Sequence, residues 1–64
     1  MNWLESIGLE DYWPHLIDNG FDRLRILRLC KGMSAIELGE ELELRKGAMK
    51  KGHIMLFHSE LNKL

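Results

Sequence analysis

Cysteine is nearly absent from this 64-residue chain, where Cys30 stands alone. A single thiol excludes an intramolecular disulfide and a four-ligand Cys-rich zinc site. No apolar run approaches the roughly 20 residues of a membrane-spanning helix, and the N-terminus lacks the basic-then-apolar order of a secretory signal. An excess of one charge is missing too. Nine basic residues against ten acidic ones give a formal net charge of -1, which argues against a general polyanion binder and turns attention to where the charges lie. Strict two-residue alternation, the mark of a half-buried strand, is confined to Leu42-Glu43-Leu44 and the stretch from Leu24 to Leu29, both rich in helix-favouring residues. The length excludes a two-lobed enzyme with a cleft between its lobes. What remains is an all-α chain, expected to form one soluble domain over residues 1–64, excised from a longer protein and intracellular, in the cytoplasm or the nucleus. A composition of 45% apolar and 30% charged residues suits a folded domain rather than a disordered one. So short a chain buries only about 60% of the surface that its unfolded form exposes, so dense packing has to replace staples.

Glycine supplies the punctuation. Trp3, Leu4 and Ile7 form a short apolar face that stops at Gly8. A second helix is expected to start with Asp11 as N-cap and Pro14 in its first turn, to bury Tyr12, Trp13, Leu16 and Ile17 as one stripe, and to end at Asn19-Gly20. Asp22 is placed to cap a third, very short helix carrying Leu24, Ile26, Leu27, Leu29 and Cys30, which Gly32 ends. Ser34 and Glu37 have the spacing of a capping box and open a fourth helix with apolar positions at Ile36, Leu38 and Leu42. The segment from Arg45 to Lys51 is basic and glycine-broken, a loop or the start of the last helix. From Gly52 onward, Ile54, Phe57, Leu61 and Leu64 share one face of a helix of about 12 residues.

In that order and spacing, the run Trp3-Leu4-Glu5-Ser6-Ile7-Gly8-Leu9-Glu10-Asp11-Tyr12, then Asn19-Gly20-Phe21-Asp22, the leucine-rich stretch 24–29, Met33 to Leu38 and Gly52-His53 resemble a sterile alpha motif, or SAM, domain. The resemblance covers nearly the whole chain and implies a five-helix bundle with a longer C-terminal helix. The chain departs from the family after Leu42-Glu43-Leu44, where several extra residues precede Gly52-His53 and Ile54 stands in place of the usual arginine. Gly47 offers an alternative register, but it would put Gly52 and His53 at apolar positions.

The resemblance also implies a function, protein–protein interaction, most often with another SAM domain of the same or a different protein. Family members join through two unlike surfaces, a mid-loop surface and an end-helix surface. Unlike surfaces need not close on themselves, so such contacts give oligomers or open polymers, suited to scaffolds in signalling. Carried onto matching positions, the mid-loop candidates are Glu37, Glu40, Glu41 and Glu43, and the end-helix candidates are Lys50, Lys51, Gly52 and His53. Exposed ion pairs contribute about 0.2 to 1 kcal/mol each, whereas a micromolar complex requires about 8 kcal/mol, so apolar contact has to supply the rest. Met33, Met49 and Met55 are candidates for it, with core roles as the alternative.

An alternative use of the charges is a basic patch for an RNA hairpin or an anionic lipid surface, drawn from Arg23, Arg25, Arg28, Lys31, Arg45 and Lys46. The near-neutral total charge and the lack of an evident exposed aromatic for base stacking count against it. Catalysis has few candidates: His15, His53, His58, Cys30 and Ser34. His53 and His58 are five residues apart and fall on different helix faces, so they do not form the four-residue two-histidine metal pattern. Each histidine reads as a surface or helix-capping group, Cys30 as a small buried hydrophobe, and Trp3 and Trp13 as core anchors. No catalytic residue, cofactor or metal is assigned.

Overall fold

The computed structural model describes residues 2–44 and 47–64. Among these, α1 spans Asn2–Ser6, a 3-10 turn spans Glu10–Tyr12, and α2, α3, α4 and α5 span Trp13–Asp18, Leu24–Arg28, Ala35–Glu41 and Lys51–Leu61. Helices of five to seven residues, which α1 to α4 all are, do not hold in water by themselves. Their shared core holds them. It is mostly leucine: Leu4, Leu9, Leu16, Leu27, Leu38, Leu42, Leu44 and Leu61, with Cys30, Met49 and Phe57. Phe57 from α5 meets Trp3 from α1 edge to face, with ring centroids 5.7 Å apart, a geometry that adds about 0.5 to 1.5 kcal/mol to simple burial.

The helix ends carry the topology. After α1, the Gly8 N–H donates to the Glu5 carbonyl at 3.1 Å and the Leu9 N–H to the Leu4 carbonyl at 3.0 Å. After α2, Gly20 donates to Ile17 at 3.0 Å and Phe21 to Leu16 at 2.8 Å. This paired hook satisfies two carbonyls that a helix end leaves without partners, and it needs a left-handed residue at its pivot. Glycine provides that pivot at φ 77° in Gly8 and 85° in Gly20. The hook recurs after α4, from Glu43 to Glu40 at 3.2 Å and from Leu44 to Gly39 at 2.8 Å. Its pivot there is Glu43, at φ 53°. In all three, the residue after the pivot turns inward to the core: Leu9, Phe21 and Leu44.

Several expectations about caps and faces are corrected. Glu10–Tyr12 coil into the 3-10 turn, so α2 begins one residue later than an Asp11 cap requires; its N-cap position is Tyr12, without a side-chain cap bond, and Pro14 is its second residue. Arg23, not Asp22, occupies the N-cap position of α3, and Asp22 instead lies 3.8 Å from the Arg23 guanidinium. Ser34 does cap α4, accepting from the Glu37 N–H at 3.1 Å, and its hydroxyl donates to the Glu37 carboxylate at 3.3 Å. Ile17, Leu29 and Ile36, expected inside, are exposed at 44%, 78% and 64%. On helices this short, the apolar face narrows to one or two positions per element, and the neighbouring apolar residue is turned outward.

Candidate functional site

The histidines fix the frame on which the charges are displayed. In α2, the His15 Nε2–H donates to the Leu42 carbonyl at the C-terminus of α4 at 2.9 Å. In α5, the His58 Nε2–H donates to the Met33 carbonyl, one residue before the N-cap of α4, also at 2.9 Å. Each histidine is followed four residues later by an asparagine whose amide donates to the histidine's own carbonyl, Asn19 at 2.9 Å and Asn62 at 2.9 Å. Asn62 also accepts from the Gly32 N–H at 3.1 Å. The helix that bears the glutamates is therefore tied at both ends to the two helices beside it. The sequence carried a signal for this, the repeated spacing His15…Asn19 and His58…Asn62, which treating each histidine singly did not use. His53 is engaged as well: its Nδ1 shares a hydrogen bond with the Tyr12 hydroxyl, the rings meeting edge to face at 5.4 Å.

Helical periodicity divides the acidic run. Residues four apart share a flank, so Ile36 stands with Glu40 and Glu37 stands with Glu41. The first flank faces α5, because Ala35, Ile36 and Gly39 line an open groove of about 260 Å³ together with Lys51, Ile54 and Met55. On the second flank, Glu41 lies near Cys30, which follows α3. There Cys30 is buried, and burial followed by the nearby Glu41 carboxylate pushes its thiol above the ordinary value, which leaves it protonated and unreactive. Glu43 lies beyond the helix at the left-handed pivot and is exposed.

The basic candidates divide too. Lys50 is the N-cap residue of α5 and carries no side-chain cap bond, while Lys51 and Gly52 open the helix; all three are exposed. The first turn of α5 holds no acidic residue, so lysine charge and the partial positive charge of the helix start add together. His53 turns away from them, half-buried against Tyr12. Arg23, Arg25, Arg28 and Lys31 are all exposed around α3, with Leu29 among them. Arg45 and Lys46 lie outside the described residues. None of the five aromatic residues is among the exposed ones, so base stacking has no evident platform. Of the three methionines that were candidates for apolar contact, Met49 is core, Met33 is half-buried and Met55 is 67% exposed.

Among the described residues, no group of three or more potential metal ligands converges, and no charged side chain is buried. No described helix is long and apolar enough to cross a membrane. What the surface offers is a partner for other surfaces: an acidic flank, a basic helix start and, between α4 and α5, an apolar groove. No solved structure matches the chain. A family model, the SAM domain (sterile alpha motif), matches residues 1–56. Domains of that family are non-catalytic modules that bind other proteins, often other SAM domains. A match over most of the sequence, with the described residues forming five short and medium α-helices, makes this chain a member of the sterile alpha motif domain family.

Proposed function

We propose that this domain joins another SAM domain, its own copies included, by setting the acidic side of α4 against the basic start of α5 on the neighbour. The acidic surface consists of Glu37, Glu41 and Glu43, with Glu40 on the adjoining flank; the basic surface consists of Lys50, Lys51 and Gly52. The observation that carries the reading is the exposure of two oppositely charged surfaces on the ordered ends of helices. An association of this kind is heterologous, so a joined pair keeps one unused acidic surface at one end and one unused basic surface at the other, and copies add head to tail.

The magnitudes fix its character. Two exposed pairs, one for each lysine, at about 0.2 to 1 kcal/mol each leave most of the roughly 8 kcal/mol of a micromolar complex to apolar burial and to the free N–H groups at the start of α5. Charge governs specificity and the rate of encounter, and salt screens it. Sedimentation equilibrium over a range of concentrations tests the reading. The weight-average mass is expected to climb past the dimer at low salt and to drop towards the monomer in Lys50→Glu with Lys51→Glu. A mass that is indifferent to that double reversal would remove the basic half of the proposal.

A further inference from the structure

We propose that the outer surface of α3 docks on an anionic lipid bilayer, with Leu29 entering the headgroup layer among cations that pair with the lipid phosphates and carboxylates. The backbone sets this arrangement. Beyond α3 the chain runs on in tight turns, the Leu29 N–H donating to the Ile26 carbonyl at 3.1 Å, the Cys30 N–H to Leu27 at 2.9 Å and the Lys31 N–H to Arg28 at 3.1 Å. Bonds that reach back three residues keep every third side chain on one side. Leu27 and Cys30 are accordingly buried, with Leu24 half-buried in line with them, whereas Arg25, Arg28 and Lys31 form an outward row of exposed cations. Leu29 projects beside that row. At 78% it is the most exposed large apolar side chain among the described residues.

Charge and the leucine together decide the occupant. No acidic residue occurs between Arg23 and Ile36. Arg23 has its neighbour Asp22 at 3.8 Å, but among the described residues Arg25, Arg28 and Lys31 have no ion-pair partner, so the row is open to an anionic surface. A nucleic acid would satisfy the charge alone, since it has no apolar layer for Leu29 and no exposed aromatic is present to stack on its bases. A bilayer satisfies both, because its headgroups are anionic and the layer beneath them is apolar. The formal net charge of -1 is a sum over the molecule, whereas a membrane acts on charges within a Debye length, about 8 Å at physiological salt. The domain is 20 to 25 Å across, so charges on its far side lie outside that reach. This surface shares no residue with the head-to-tail contact. Each cation near the membrane multiplies binding about fivefold, so the attachment is shallow and reversible.

Co-sedimentation of the chain with vesicles tests the assignment, phosphatidylcholine alone being set against phosphatidylcholine mixed with phosphatidylserine. Binding is expected on the anionic vesicles only and is expected to fall as salt is raised. Arg25→Gln with Arg28→Gln should weaken it by about tenfold or more. Leu29→Ser should weaken it about threefold on vesicles and leave retention on an RNA hairpin unchanged, since only the bilayer takes up an apolar side chain. All three positions are exposed and glutamine is a good helix former, so an unchanged helical circular dichroism spectrum is expected of each variant. Lys50→Glu with Lys51→Glu, which disables the head-to-tail contact, should leave the dependence on Arg25 and Arg28 in place. No binding to anionic vesicles, or binding that survives the loss of both arginines, overturns the assignment, as does a chain that retains the RNA hairpin but not the vesicles. None of these results touches the head-to-tail reading, whose failure is seen in sedimentation without lipid.

Discussion

α2 and α5 end in the same way, yet they hold different things. At the end of α2, the His15–Asn19 unit makes one long-range bond, to the C-terminal carbonyl of α4. At the end of α5, the His58–Asn62 unit makes two, to the Met33 carbonyl and from the Gly32 N–H, and so grips the segment that leads into α4. One four-residue device thus serves as a C-terminal clasp in one place and an N-terminal clasp in the other. The lesson is about rigidity: a domain without disulfides locks its seven-residue charged helix through imidazoles that reach backbone carbonyls. Each bond ends on a backbone carbonyl near a terminus of α4, so losing the imidazole takes a donor from that carbonyl.

The largest effects should come from the imidazoles. His15→Ala and His58→Ala are each expected to cost about 2 kcal/mol, the middle of the range for removing the donor of a partly buried acceptor. Urea denaturation checks this, and a large loss from only one of them would mean that α4 is anchored at one end alone. A second contrast, between the hooks after α2 and α4, sets the next effect. Gly20 adopts its left-handed conformation freely, whereas Glu43 adopts the same region against a steric cost of about 1 to 2 kcal/mol, partly offset in a substitution by glycine's extra freedom when unfolded. Glu43→Gly is therefore expected to stabilise by about 0.5 to 1 kcal/mol in thermal melts, and a loss would show that the carboxylate itself matters to the turn. Smallest are the asparagines. Asn62→Ala should cost about 1 kcal/mol and Asn19→Ala about half that, since Asn62 makes one bond more, and equal losses in urea would mean that water replaces the bond to Gly32 without cost.

Much of this architecture was legible in the residues. Gly8 and Asn19-Gly20 marked helix ends because a left-handed pivot is a steric demand that glycine meets locally, and Ser34 with Glu37 marked a start because capping is equally local. The spacing of Ile54, Phe57 and Leu61 gave the inward face of α5, the one helix long enough for periodicity to average out noise. Asp11 and Asp22 were misread because they have the chemistry of caps, and nothing local revealed that a 3-10 turn would take up residues 10–12 or that Arg23 would be extended. The outward turn of Ile17, Leu29 and Ile36 depends on which of two adjacent apolar side chains the rest of the fold has room for. The glutamates and lysines were visible as runs, but a run in sequence is not a surface. Helical geometry separated Glu40 from Glu37 and Glu41, and the contact with Tyr12 drew His53 away from Lys50 and Lys51.

Complementation between two disabled surfaces tests the head-to-tail association most directly. One chain carries Glu41→Lys with Glu43→Lys, the other Lys50→Glu with Lys51→Glu. Each keeps one competent surface, and the two surfaces are complementary. By calorimetric titration, neither chain should associate with itself, while the mixture should form a one-to-one complex that weakens as salt is raised. No heat of binding in the mixture, with both chains folded and near 1 mM, would contradict association through these surfaces.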